Sequence, residues 1–448
     1  MRTLIGDQPK CFEEVRMFFK QSGGGMHLLQ GKAGVGKSSL MDDVVNYLYQ
    51  NHIKVVVTAP SHEAVNVVKG FVTAEVDFFT THSAFGMKEV KIDNHGKRSF
   101  VRDLKTPCKA EKYQVVIIDE ASMVADGMFD EAINLVQQFQ IKILFVGDEM
   151  QIPPIGQIYS KPFQKEIQEK YHIGISTMNI VLRQAEGHPT LRFALNIREN
   201  INNPIQIIDP QRVESPVGDI IPIKEANSLQ FFVDNILPLY KNVEYKEGAN
   251  YIKTIAWHNK VVNFYNKIIR EFLFGENLPK IIVGDLLIAD APIVEGNKIL
   301  ISTNQRMIVL ATAVEEEALS ELYVIRYYRT RVKVFNGEEY NEYMIKIVHE
   351  DSEATYNKLI ELQTHVALSY PKGSFQARSS WIDKFKFEES WHQTKYAYAI
   401  SAHKAQGSSY IHAFVLYWDI KTNPNIFERN RIFYTSATRP SKNLYIAY

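Results

Sequence analysis

One short stretch constrains this chain more than any other: HLLQGKAGVGKSSLMDDVV, residues 27–45. An apolar run leads into a glycine-rich loop, and apolar residues at helical spacing follow it. Gly31, Gly36, Lys37 and Ser38 fit G-x-x-x-x-G-K-[ST], in which glycines let backbone N–H groups turn inward around a phosphate. Ala33, Gly34, Val35 and Ser39 belong to the same cradle. Lys37 supplies a point charge near the β- and γ-oxygens and Ser38 a hydroxyl ligand for Mg²⁺. The helix beginning near Lys37 adds its positive dipole end. Strand, loop and helix in this order predict a nucleotide site, with ATP and Mg²⁺ as its ligands.

Hydrolysis requires more than a phosphate cradle. YQVVIIDEAS (113–122) is an apolar strand ending in Asp119 and Glu120. Asp119 can hold Mg²⁺ through water, and Glu120 can orient or deprotonate the attacking water. KVVVTAP (54–60) and IKILFVGD (141–148) are further β-branched runs, and DGMFDEAINLVQQFQ sets Phe129, Ile133 and Val136 on one helical face. This alternation predicts an α/β fold whose parallel sheet is covered on both sides, with ligands at the carboxyl ends of the strands. The loop, APSHEA, DEAS and GDEMQIPP then converge on one edge. A second sheet is legible in TIAW (254–257), AFVLY (413–417) and NLYIAY (443–448).

Composition narrows the class further. A length of 448 residues suggests about three domains, and 45% apolar with 23% charged residues suits globular cores. No apolar run approaches the ~18 residues of a membrane span, and MRTLIGDQPK lacks the apolar core of a signal peptide. Cys11 and Cys108 are the only cysteines, which excludes a disulfide framework and fits a reducing cytoplasm. Lys and Arg number 51, as do Asp and Glu. A nucleic-acid partner therefore requires basic charge gathered in a groove.

The order of segments resembles a superfamily 1 helicase, most of all the 5′-to-3′ subgroup that contains the phage Dda and RecD-like enzymes. Gln8 in IGDQPK is similar to the glutamine that reads adenine upstream of the phosphate loop. GKAGVGKS, APSHEA, TTHSAFG, DEAS and GDEMQIPP resemble motifs I, Ia, Ib, II and III. VLRQ (181–184), AISAHKAQGSS (399–409) and FYTSATRPSKNLYIAY (433–448) resemble motifs IV, V and VI. The resemblance implies two RecA-like P-loop NTPase domains, with a small β-hairpin insertion in the first and an SH3-like β-barrel insertion in the second. It implies an ATP-dependent DNA helicase that translocates 5′ to 3′ on single-stranded DNA and unwinds duplex. In that reading Gln151 senses the γ-phosphate, Gly407 lies against the nucleotide, and Arg183 and Arg439 reach the phosphate from the second domain. The physical logic is independent: charge on the transferring phosphoryl group must be met by cations, and arginines from another domain make that conditional on closure.

Single-strand DNA is held by polar contacts to phosphates and flat groups against bases. Pro60, His62, Thr81, His82 and Phe85 are the candidates on the first sheet. Trp257, His258, Asn259, Ser401, His403 and Lys404 are those on the second. All follow predicted strand ends. MKEVKIDNHGKRSFVRDLKTPC reads as two short strands around NHGK, a hairpin that in the resembled group splits the duplex, with Phe100 as a candidate tip residue.

The expected boundaries are 1–86 with 111–178 for the first motor domain, 87–110 for the hairpin, 179–280 with 396–448 for the second motor domain, and 281–395 for the barrel. Within the last, VEEEALSEL (314–322) reads as a solvated acidic face, and SYPKGSFQARSSWIDKFKFEESWHQ as an arm or a loop whose aromatics pack the barrel. The resemblance implies single-stranded and forked DNA as partners, single-strand-binding, replication or recombination proteins beside them, no membrane, a monomer, and a phage's host cytoplasm. Two alternatives stand: a translocase that displaces bound proteins without processive unwinding, and another P-loop phosphotransferase. Two departures from the family pattern are Pro440 directly after Arg439, and Glu63 in APSHEA where a small residue is usual.

Overall fold

The four inner strands of the first sheet are near-continuous apolar runs, because helices cover both of its faces. Strands β1 (Gly25–Gly31), β2 (Val55–Ala59) and β3 (Asp77–Thr80) precede a hairpin of β4 (Met87–Ile92) and β5 (Arg98–Arg102). They are followed by β6 (Val115–Ile118), β7 (Lys142–Gly147) and β8 (Gly174–Met178). The sheet order is β3-β2-β6-β7-β1-β8, and every pairing is parallel. All five residues of β2 and all four of β6 are buried. Helices α1 (Gln8–Lys20) and α2 (Lys37–Gln50) cover one face through Cys11, Val15, Leu40 and Val44. Helix α5 (Asp126–Phe139) covers the other through Phe129, Ala132 and Leu135. Two short helices, α3 (His62–Lys69) and α4 (Thr81–Ala84), start at the carboxyl ends of β2 and β3.

This computed structural model describes residues 3–92, 98–102, 106–154, 156–182, 187–203, 211–242, 250–295, 298–336 and 339–448. The chain divides into two units: 1–87, 104–269 and 398–448 form the first, and 88–103 with 270–397 the second. The first unit holds a second parallel sheet, made of β9 (Ile220–Ile223) and β10 (Ile252–Ala256) and of strands from the end of the chain described next.

In the second unit the strands after residue 270 pair antiparallel. They are β11 (Leu286–Ala289), β12 (Ile293–Glu295), β13 (Lys298–Ile301), β14 (Arg306–Ala318), β15 (Val324–Asn336), β16 (Glu339–Val348) and β17 (Thr394–Tyr396). Five of them form a sheet in the order β16-β15-β14-β11-β17, and β12 pairs with β13. Met307, Val309, Val332, Val334, Ile345 and Ile347 make its core. The acidic stretch 314–322 lies on and beyond β14, where Glu315 pairs with Arg329 at 3.3 Å and Glu317 with Lys346 at 2.5 Å.

The segment expected to be a loop or arm is helical. It comprises the end of α8 (Glu353–Ser369), a turn, and α9 (Phe375–Ser390), whose N-cap Ser374 accepts the Ala377 N–H. Capping and helix-forming residues outweigh the Pro-Lys-Gly turn, which interrupts the helices only briefly. Phe387 and Trp391 pack against Ile325, Tyr327 and Val348, as expected of aromatics that seal the sheet.

The second parallel sheet is completed by β18 (Ala399–Ser401), β19 (Tyr410–Leu416) and β20 (Pro440–Ala447), in the order β18-β10-β19-β20-β9. Helices α6 (Pro189–Glu199) and α11 (Ile426–Ala437) cover one face through Ala194, Ile197, Ile432 and Phe433. Helix α7 (Asn259–Phe274) follows β10, and the short α10 (Ala402–Ala405) follows β18. Among the described residues no helix is long and apolar enough to cross a membrane.

Candidate functional site

The phosphate loop joins β1 to α2, and its geometry depends on Gly36. That residue is the N-cap of α2 at φ +84°, and a β-carbon there would lie 2.7 Å from both Gln8 Nε2 and Leu182 Cδ1. Only glycine fits. Val35 has its side chain in the core, which anchors the loop and leaves its amide for a ligand. Lys37 Nζ donates to the loop carbonyls of Gly31 at 2.5 Å and Lys32 at 3.0 Å. Burial pushes the Lys37 ammonium pKa down, and Asp148, Glu120 and Asp119 oppose that shift. Gln8 is buried, accepts the Ile5 N–H at 3.1 Å and donates to Gly36 O at 3.2 Å. Its amide keeps one N–H and one lone pair for another group.

The acid pair sits just past β6. Burial, then the charge of Glu120, raises the Asp119 carboxyl to about 7; the Glu120 peptide N–H and Lys37 pull the other way. Glu120 itself is left-handed, at φ 50° and ψ 45°. A non-glycine residue held there stores strain, which is characteristic of sites where a side chain must be aimed. Gln151 is 7% exposed and its Oε1 is buried with no hydrogen-bond partner. A buried orphan acceptor calls for a ligand or water. Ser38 in the first turn of α2, the Asp119–Glu120 pair, Lys37 and the unsatisfied Gln151 together fit a magnesium-bound triphosphate.

Sequence reasoning missed several residues around this centre. Asp148, at the end of β7, is 1% exposed and receives Arg198 Nη2 on Oδ1 at 3.3 Å and the Tyr434 hydroxyl on Oδ2 at 2.5 Å. A strand ending in an acid was the signal used for Asp119, and GDEMQ offers the same signal. Gln406 donates to Ser122 Oγ at 3.0 Å and Ile152 O at 3.2 Å, while Arg431 donates to the carbonyls of Glu149 and Ile158. These contacts tie the second sheet's layer to the loops of the first, and no spacing rule reveals them.

Arg183 lies outside the described residues. Arg439 is buried and each of its guanidinium nitrogens is engaged: they donate to Thr435 O at 2.9 Å, Ser408 O at 3.1 Å and Thr438 Oγ1 at 2.9 Å. Its neighbours Thr438 and Pro440, with Ser441 and His188, border a cavity of about 370 Å³ that Ala33 and Gly34 also line. Pro440 is the first residue of β20, a position where a missing N–H is tolerated. Gly407 was expected at the nucleotide. It has φ +76°, and a β-carbon on it would meet the Ala64 methyl at 2.8 Å, so it packs against α3.

The nucleic-acid candidates separate into two groups. Thr81 and Phe85 are corrected: both are wholly buried, Thr81 Oγ1 bonded to Thr58 Oγ1 at 3.3 Å and Phe85 in the core with Val116, Ile118 and Phe129. The single turn α4 has an inward face, and both residues fall on it. Pro60, His62 and His82 are partly exposed, at the carboxyl ends of β2 and β3. Burial lowers the pKa of His62 and takes that of His82 to about 4. Glu63 stands in the first turn of α3, where the helix dipole favours an acid. On the second sheet, Ser401 caps α10 by accepting the Lys404 N–H at 3.4 Å, and His403 and Lys404 are half-buried beside it. Trp257, His258 and Asn259 follow β10. The Asp419 carboxylate fixes that turn, taking the N–H groups of Trp257 (2.7 Å) and His258 (2.9 Å) and the His258 ring Nδ1 (2.7 Å). Phe100 lies on β5, with its side chain outside the described residues.

The sequence family described as "AAA domain" matches residues 13–211, and the one described as "UvrD-like helicase C-terminal domain" matches residues 396–447. The chain is similar to the ATP-dependent DNA helicase dda of Enterobacteria phage T4, 23% identical over 86% of each chain. It is also similar to the ATP-dependent DNA helicase Pif1 of Campylobacter jejuni, 33% identical over 28% of each. A crystal structure of Pif1 helicase from Bacteroides, in complex with ADP-AlF3 and single-stranded DNA, has a similar fold, with a TM-score of 0.50 at 15% identity over 100% of this chain and 93% of that one. With the motifs in family order and both ends of the chain matched, the protein belongs to the superfamily 1 helicases of the Pif1, Dda and RecD-like group.

Proposed function

We propose that this chain is an ATP-dependent DNA helicase that moves 5′ to 3′ along single-stranded DNA and opens forked duplex ahead of it. One observation carries the reading. A phosphate loop with its acid pair stands on one parallel sheet, and the segment around Arg439 on a second sheet borders the same cavity as Ala33 and Gly34. A phosphotransferase of the kinase kind has no use for a second sheet at that place; a motor does.

Within this reading, Lys37 leaves the loop carbonyls for the phosphate oxygens, and Ser38 and Asp119 hold Mg²⁺. The metal, when bound, neutralises charge on the β- and γ-phosphates. Glu120 takes the proton of the attacking water, and Gln151 places its free acceptor at that water. Arg439 must break three hydrogen bonds to reach the phosphate, so its arrival depends on movement of the end of α11. Arg183 is the second cation in the proposal.

The outer strands carry the DNA candidates. Pro60, His62 and His82 stand off β2 and β3, and Trp257, Ser401, His403 and Lys404 off β10 and β18. The contact of Gly407 with Ala64 brings α10's loop to α3, which supports one continuous strip for a single strand. We assign 1–86 with 111–178 and 179–280 with 396–448 to two RecA-like motor domains, 87–110 to a strand-splitting hairpin, and 281–395 to an SH3-like barrel. For the last, the His392 N–H donated to Lys346 O at 2.7 Å links the segment before β17 to β16 at the opposite edge of the sheet.

The test is turnover and polarity together. ATP hydrolysis is expected to rise strongly on adding single-stranded DNA, and 5′-tailed duplexes to be unwound in preference to 3′-tailed ones. Turnover indifferent to DNA would remove the motor reading. Strong stimulation without strand separation would leave a translocase.

A further inference from the structure

The two sheets of the first unit share one buried hydroxyl. Tyr434, on α11, is fully buried. Its hydroxyl donates to Asp148 Oδ2 at 2.5 Å and accepts the Ala33 N–H at 3.3 Å. Ala33 belongs to the phosphate loop, and Asp148 ends the strand beside it. The other Asp148 oxygen is held by Arg198 of α6, at 3.4 Å from Nε and 3.3 Å from Nη2, and by the Met150 N–H at 3.1 Å. Asp148 is also the strongest of the charges that sustain the Lys37 ammonium. Two helices of the second layer, α11 and α6, thus meet the loop through one carboxylate and one phenol. The site described above uses neither Tyr434 nor Arg198 for hydrolysis.

Resting on the ATPase reading, we infer that Tyr434 is a positioning residue that couples the second sheet's layer to the phosphate loop, through the Ala33–Tyr434–Asp148 link. The link has the right chemistry for a relay. A tyrosine hydroxyl gives one hydrogen bond and accepts others, so it holds a loop amide and a carboxylate in one register. A phosphate oxygen competes for the Ala33 N–H, so filling the loop weakens the hold on Tyr434 and frees α11. Conversely, any DNA-driven shift of α11 changes where Ala33 and Asp148 sit, and through Asp148 the field at Lys37. Burial beside Asp148 keeps the phenol protonated, so the link works as a fixed donor and not as a pH switch.

The experiment uses the full chain with Tyr434→Phe, which keeps the ring in its packing and removes only the hydroxyl. The expected result is a fall of about tenfold in the ratio of DNA-stimulated to DNA-free ATP turnover, a typical coupling loss, with the KM for ATP within about twofold of wild type. Equal loss of both rates, or a change confined to KM, overturns the inference. Arg198→Gln supplies a second reading at a more exposed side chain (21% exposed). It should lower the same ratio, and the double variant should lose no more than the worse single one. Additive losses would show two unrelated effects and overturn the link. Wild-type protein without ATP turnover would defeat the helicase reading itself; stimulated wild type with an unaltered Tyr434→Phe ratio defeats only this inference.

Discussion

Glu120 shows how a single residue is committed to chemistry. Its left-handed backbone costs free energy that a surface turn would relieve with glycine. Glu120→Gln keeps the volume and removes the base, so nucleotide binding should persist while kcat falls about 10²- to 10⁴-fold; equal loss of binding, read by fluorescent-nucleotide titration, would speak against a base. Lys37→Ala should abolish turnover, by about 10³-fold or more, because it removes the ammonium that the loop carbonyls of Gly31 and Lys32 hold at the phosphate site. At this scale the sequence was informative wherever chemistry is encoded by neighbours in the chain. Gly31 to Ser38 and Asp119–Glu120 are contiguous motifs, and they lie where their spacing placed them. Tyr434, Arg198 and Gln406 act through contacts 50 or more residues away in the chain, and nothing local marks them. Thr81 and Phe85 face the core and not a ligand, because a position after a strand end says nothing about which way a one-turn helix faces.

Elements were legible in proportion to their periodicity. Strands β1, β2, β6, β7, β10, β19 and β20 are apolar runs and α5 has one apolar stripe, so these are expected where they occur, whereas β3, β8, β9 and β18 are too short or too polar to stand out. Helices α8 and α9 escaped because Pro371 and Gly373 lie between them and aromatics spread round α9, leaving no clean stripe. The turn after β10 owes its shape to Asp419, 162 residues away from Trp257. Asp419→Asn loses a charged acceptor for three donors, and hydrogen bonds to charge are worth about 1.5–3 kcal/mol each. Single-strand DNA affinity, measured by fluorescence anisotropy, should drop about tenfold, while DNA-free ATP turnover stays within about threefold. Unchanged affinity would separate Trp257 and His258 from the DNA path.

For the whole molecule, burial leaves its mark on pH dependence. His27, His82, His392 and His412 all have pKa values lowered to about 4, chiefly by desolvation. Each is lower than the ordinary 6.5, so the unfolded chain binds protons first as pH falls. Stability should be full above about pH 6.5 and decline toward pH 4, with a slope up to about 1.4 kcal/mol per pH unit for each histidine. Urea midpoints at pH 7.5 and 5.0 check this, and His27→Gln should shallow the decline. Equal midpoints would mean the imidazoles are solvated. The even balance of 51 cations and 51 anions further predicts few phosphate contacts and a shallow dependence of DNA affinity on salt.

The strand order of the second sheet bears on how the polypeptide matures. Strand β10 pairs with β18 and β19, and β9 pairs with β20, so neither early strand has an early neighbour. While the ribosome makes the roughly 140 residues between β10 and β18, two apolar edges wait without hydrogen-bonding partners, the condition in which nascent chains aggregate or recruit chaperones. Translation halted before residue 399 leaves a first lobe able to assemble and a second with no sheet at all.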